Sequence, residues 1–195
     1  MNKSEKGFTL IELLVVLALV AILSVVVILT LNPAELLKQA RDSNRTSDLS
    51  TLKSAISLFM ADVNVTPTSL GAAGTCYYSY VATTATVGCG GAFPTSTTNG
   101  TTTYAGVRNI NGTGWIPVNF SAISSGAPIG QLPVDPVNTS AFYYTYGVGT
   151  SSNQLFEIDA KMESTKYSTT GGSELLTSDG GNNNGWYETG TTLSL

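Results

Sequence analysis

The chain has 195 residues, of which 11% are charged, with a formal net charge of −4 and no histidine. That length allows one globular domain with an appendage. The missing histidine removes the usual general base, the Ser-His and Cys-His nucleophile pairs and most zinc constellations. No basic stripe follows Arg45, so the charge pattern gives no footprint for nucleic acid.

Residues 8–31 form an apolar run in which Glu12 is the sole charge. About 20 such residues cross the hydrocarbon core as a helix. Val and Ile abound here, but a lone lipid-exposed segment satisfies its own backbone only when helical. Lys3 and Lys6 flank the near side, which places the N-terminus in the cytoplasm and the remainder outside. The run is too long for the apolar core of a secretory signal peptide and lacks a small-residue cleavage site. A plain signal anchor accounts for the length and the lysines but not for Glu12.

An ionised carboxylate in lipid costs a few kcal/mol, less near a helix end where it can snorkel. It therefore asks for a partner. A cut between Gly7 and Phe8 creates one, the α-amino group of Phe8. Within one chain, amine and carboxylate could meet across a turn. Between two chains packed with an axial offset, the amine of one could pair with Glu12 of the next. The second arrangement makes the charge a register mark for assembly, as a buried polar group does in coiled coils.

The stretch KGFTLIELLVVLALVAIL resembles the prepilin N-terminal motif of type IV pilins and type II secretion pseudopilins, with Lys6, Gly7, Phe8, Thr9, Leu10, Ile11 and Glu12 all in place. The resemblance implies a leader of residues 1–7, removed after Gly7 by a prepilin peptidase that also N-methylates Phe8. It implies hand-over to an inner-membrane assembly platform and growth of a helical homopolymer in which Glu12 neutralises a neighbour's Phe8 amine. Before assembly the subunit would be a single-pass protein of the cytoplasmic membrane, in contact with lipid. Afterwards it would belong to a cell-surface or extracytoplasmic filament. No enzymatic activity and no nucleic-acid partner is implied.

Residues 32–65 read as an amphipathic second half of the helix. Leu49, Leu52, Ile56, Phe59 and Val63 recur at 3-4-3-4 spacing, a stripe suited to packing on a sheet. Asn32-Pro33 either opens a new helix or kinks a continuous one. Thr66-Pro67 is the expected stop. A long helix of this kind matches the stalk of the pilin family, although the family's usual proline lies nearer the N-terminus than Pro33.

From residue 66 to 195, short β-rich pieces alternate with turn clusters, giving an α+β class with an antiparallel sheet laid on the second half of the helix. The pieces are CYYSYVATTATV, TTYAGVRNI, AFYYTYGVG and QLFEIDAKM, the last two forming a hairpin. Residues 71–114 are expected as a long surface loop closed by a Cys76–Cys89 disulfide, the natural state of two close cysteines in an exported domain. Pro133, Asp135 and Pro136 resemble the Pro-x-Asp-Pro segment of major pseudopilins and many pilins, and two prolines around an aspartate fix a turn. Residues 177–190 are either a plain turn cluster or a calcium loop in which Asp179, Asn182, Asn184 and Glu188 supply hard oxygen ligands. The spacing does not fit an EF-hand.

The leading functional reading is thus a structural pilin. The alternative is a major pseudopilin of type II secretion. From a different class comes a membrane-anchored exported enzyme or binding protein, for which Glu157, Asp159 and Glu163 are the nearest carboxylates. Glu157 and Asp159, two apart on a strand, share one face, and such a face is expected to be solvated.

Overall fold

In the computed structural model the described residues are 7–64, 66, 68–80, 89, 108–150, 155–168 and 172–195. The chain falls into two compact units, Met1–Leu37 and Lys38–Leu195.

In the first unit, helix α1 (Leu10–Leu31) is almost wholly aliphatic. Its Ser24 hydroxyl donates to the Val20 carbonyl, and that of Thr30 to Val26 and Val27, so both are satisfied inside the helix. The window Leu10–Ile28 is long and apolar enough to cross a membrane, and none of it is buried within the chain. Asn32 ends α1 in the left-handed region, at φ 40°. Its carbonyl then accepts the N–H groups of Glu35 and Leu36, and α2 (Pro33–Asp62) begins with proline at the first helical position. Of the two expectations for Asn32-Pro33, the structure takes the first.

In the second unit, the α2 stripe is buried as its spacing predicts: Leu49, Leu52, Ile56 and Phe59 are each at most 3% exposed. Val63 follows the helix end and is half-buried. The helix stops at Asp62, short of the expected residue 65. There the Asp62 carboxylate accepts both the N–H and the hydroxyl of Ser124, tying the helix end to a loop. Pro67, the expected stop, lies outside the described residues.

Four antiparallel strands pair in sequence order: β1 (Cys76–Tyr78), β2 (Tyr144–Val148), β3 (Phe156–Ala160) and β4 (Tyr187–Gly190). The β2–β3 hairpin is the expected one. β4 is not; the end of the supposed turn cluster is an edge strand. The CYYSYVATTATV piece keeps its strand only over Cys76–Tyr78, and residues 81–88 lie outside the described ones. Of TTYAGVRNI, residues 108–110 are not strand, and 102–107 lie outside the described residues.

Directly paired residues share a face, so the register sorts the sheet into two surfaces. One carries the row Tyr77, Tyr146, Ile158, Thr189, and packs with the α2 stripe, Trp115, Ile116 and Phe120 into the core. The other carries Tyr78, Thr145, Asp159, Glu188, and beside it Cys76, Gly147, Glu157, Gly190. This second face is polar, yet Thr145, Glu157 and Asp159 are 0% exposed. The expectation of a solvated hairpin face is therefore corrected. Strand β4 extends the sheet beside the pair, and the backbone of residue 195 reaches Glu157.

Candidate functional site

At the start of α1, Thr9 is the N-cap residue, in extended conformation. Its backbone N–H donates to Glu12 Oε2 at 2.9 Å and its hydroxyl to the same oxygen at 2.6 Å, while Glu12 N–H donates to Thr9 Oγ1 at 3.3 Å. This reciprocal capping box satisfies helix-end donors that have no intrahelical partner. A local role for Glu12 was thus legible in the Thr-x-x-Glu spacing, and reading the residue only as a charge in lipid missed it. Both Thr9 donors land on Oε2, and Oε1 takes no bond among the described residues. The ring of Phe8, beside the cap, is 81% exposed.

In the second unit, Lys38–Leu195, called the head from here on, the described residues include two acidic clusters. The first surrounds Arg45, which is 0% exposed. Its Nε donates to Asp135 Oδ2 at 2.6 Å and its Nη2 to Asp135 Oδ1 at 3.0 Å, a bidentate fork. Nη1 meets Asp42 Oδ1 at 2.7 Å, and Nη2 also meets Glu163 Oε1 at 2.5 Å. Arg41 clamps Glu163 from the rim, and the Phe142 ring lies 5.1 Å from the Arg45 guanidinium. Burial works against the Arg45 charge, but the bonds to Asp135, Glu163 and Asp42 outweigh it and raise the guanidinium pKa. The Arg41 bond in turn holds the Glu163 carboxyl below its ordinary range, against the effect of burial. The remaining carboxylate capacity is taken by backbone: Asp42 accepts from Glu163 and Ser164 N–H, and Asp135 from Val137 and Asn138 N–H. The Pro-x-Asp-Pro segment is thus the expected turn, and Asp135 is also an ion-pair partner, which its local sequence did not signal.

The second cluster is Glu157, Asp159 and Glu188, all buried, with oxygens within 4.8 Å of one another. Strands β3 and β4 place them, since Asp159 is paired with Glu188 and Glu157 lies two residues along the same face. Glu157 Oε2 accepts the Leu195 N–H, Glu188 Oε2 that of Asn183, and Asp159 Oδ2 the Thr145 hydroxyl. Burial, reinforced by Asp159, pushes the Glu157 carboxyl up to about 8. Burial raises Glu188 to about 7, with Glu157 and Asp179 adding to it and the Asn183 N–H opposing.

Of the four residues expected to line a calcium loop, only Glu188 joins this cluster. Asp179 instead accepts the N–H groups of Gly181 and Glu188, while Asn182 and Asn184 are exposed. Cys76 and Cys89 are both buried and present as thiols, and hydrogen bonding with Cys89, followed by burial, pushes the Cys76 thiol up. Glu163 belongs to the arginine cluster and not with Glu157 and Asp159.

Residues 2–28 match the family model described as the prokaryotic N-terminal methylation motif, the signal of type IV pilins and pseudopilins. No curated protein and no solved structure matches the chain.

Proposed function

Starting from that motif, we propose that this type IV pilin-like chain is cut between Gly7 and Phe8, methylated at Phe8, and assembled into an extracellular filament. The observation that carries the reading is the motif at residues 2–28 followed by a membrane-length helix with one acid in its first turn. A membrane-embedded precursor and a helical bundle both surround α1 with apolar groups, so moving from one to the other has little hydrophobic penalty. Within the bundle Glu12 needs a cation, and the Phe8 amine of an adjacent subunit is the one the cut creates. A carboxylate has about four lone-pair sites, so capping by Thr9 on one oxygen is compatible with an amine on the other.

Outside the cytoplasm, Cys76 and Cys89 are proposed to oxidise to a disulfide. Closing that loop contributes roughly 3 kcal/mol on the chain-entropy model. A second reading, a type II secretion pseudopilin, is favoured by the turn at Pro133, Asp135 and Pro136. Surface filaments visible on producing cells separate the two.

Glu12→Gln tests the electrostatic step. Glutamine preserves a capping box but has no charge. The expected result is normal leader removal and a folded head, with filaments reduced at least tenfold. Filaments at the normal level would show that capping alone is the role of this residue and would remove the pairing from the account.

A further inference from the structure

Beyond residue 7, the pattern Asn-x-Ser/Thr, with x other than proline, recurs at Asn44, Asn64, Asn99, Asn111, Asn119 and Asn138. This is the acceptor motif for attaching a saccharide to an asparagine amide in exported chains. Serine and threonine are abundant here, so the motif alone selects nothing. The fold does. An acceptor must be exposed, have an uncommitted Nδ2 and lie on backbone free to turn. Asn44 lies inside α2, with its backbone held in the helix. Asn138 Nδ2 donates to the Ser79 carbonyl at 3.1 Å, and its Oδ1 accepts the Ser79 hydroxyl at 3.0 Å. Asn64 is exposed, but the hydroxyl of Thr66 in its motif is bonded to that of Ser69 at 2.9 Å. Asn99 lies outside the described residues.

Asn111 and Asn119 remain, both exposed and paired across an isolated antiparallel bridge. Asn111 Oδ1 accepts the Thr113 N–H at 3.2 Å and the Thr113 hydroxyl at 2.6 Å, which folds the motif into an Asx-turn. Gly112, at φ 85°, permits that turn, where a side chain would be strained. These bonds hold the hydroxyl of the motif against the acceptor amide, and among the described residues nothing binds Asn111 Nδ2. Asn119 lacks this arrangement. It precedes the short helix Phe120–Ala122 without a side-chain bond to it, and Ser121 lies within that helix.

We propose that Asn111 is an N-glycosylation site, its partner a membrane-bound transferase that acts outside the cytoplasm on a lipid-diphosphate-linked oligosaccharide. This rests on the proposed export of the head. Asn111 Nδ2 forms a bond to the anomeric carbon as the bond from that carbon to the phosphate oxygen breaks. The lipid diphosphate leaves with the electron pair, and an Nδ2 proton passes to a base of the transferase. Directly paired residues lie about 4.5–5.5 Å apart at Cα. A saccharide on Asn111 therefore screens Asn119, and one chain is attached to this pair.

Peptide mapping by mass spectrometry of the full chain, taken from its producing cells, tests the site. The peptide containing Asn111 should carry a mass increment made of whole sugar residues. That increment should be lost in Asn111→Gln and in Thr113→Val, and kept in Thr113→Ser. Asn44→Gln and Asn64→Gln should leave it unchanged. The map of the parent chain decides the matter even where a variant does not fold. An unmodified Asn111 peptide overturns the site, as does sugar on Asn119, on Asn138 or on Ser and Thr in its place. Leader removal is read from the N-terminal peptide of the same digest, so the two readings fail separately. A cut leader with a bare Asn111 overturns the glycan alone, and an uncut leader with sugar on Asn111 overturns the cleavage alone.

Discussion

The two buried acidic clusters of the head solve one electrostatic problem differently. Around Arg45, the acids Asp42, Asp135 and Glu163 meet two arginines within hydrogen-bond distance, and backbone N–H groups fill the remaining acceptor sites. Around Glu157, Asp159 and Glu188, the donors are the residue 195 and Asn183 N–H groups and the Thr145 hydroxyl, and no arginine or lysine of the described residues pairs with either glutamate. A buried acid thus either brings its counter-charge in the fold or must take a proton or ion from outside. Glu12 is a third version, in which the counter-charge is proposed to come from another copy of the chain.

The largest effect expected is from Arg45→Met, which deprives the first cluster of its central cation. Removing one partner of a buried charged network costs about 3–5 kcal/mol. At about 2–4 °C per kcal/mol for a chain of this size, the melting temperature should fall by about 6–20 °C. A drop of only a degree or two would mean the arginine is dispensable and that the clusters do not differ as described.

pH separates the clusters more gently. The Glu163 carboxyl is lowered in the folded state by Arg41, so its contribution is present above the unfolded carboxylate value and lost as pH falls through the lower folded value. Glu157 and Glu188 are raised, to about 8 and about 7, so their contribution has the opposite sign. It is complete below the unfolded value near 4.5 and lost as pH rises through 7 and 8. Thermal unfolding should therefore show the contribution of this cluster falling from about pH 5 to pH 8. A rise across the same interval would contradict the assignment of the second cluster.

The smallest effect belongs to Arg41→Ala. Its side chain is 32% exposed, and Glu163 retains Arg45. A loss of about 1 kcal/mol or less is expected, readable in a denaturant melt. A loss as large as that of Arg45→Met would make the rim and centre of the cluster equivalent.

What the sequence made legible was periodic or local. The Leu49, Leu52, Ile56, Phe59 stripe follows the helical period, and the β2–β3 hairpin follows strand alternation, so both could be read without tertiary information. The turn at Asp135 was equally local. Its bond to Arg45 spans 90 positions, and nothing in either neighbourhood announces it. β4 was missed because Glu188 and Gly190 are poor strand formers that follow a run of Asn and Gly. Pairing with β3, a tertiary gain, overrides that preference. The burial of Glu157 and Asp159 was invisible for the same reason, since a polar face reads as solvated until something is known to cover it. Of Asp179, Asn182, Asn184 and Glu188, only Glu188 shares the carboxylate cluster, because strand pairing and not sequence proximity brings Glu157 and Asp159 to it.

At the other end of the chain, Glu12 is proposed to become an assembly residue once cleavage frees the Phe8 amine. Mass analysis of the mature protein recovered from cell-surface filaments tests this most directly, and the same spectrum reads the disulfide as the loss of two hydrogens. The expected chain begins at N-methylated Phe8. A chain that still begins at Met1, or one cut near Asn32 so that Glu12 is absent, would contradict it.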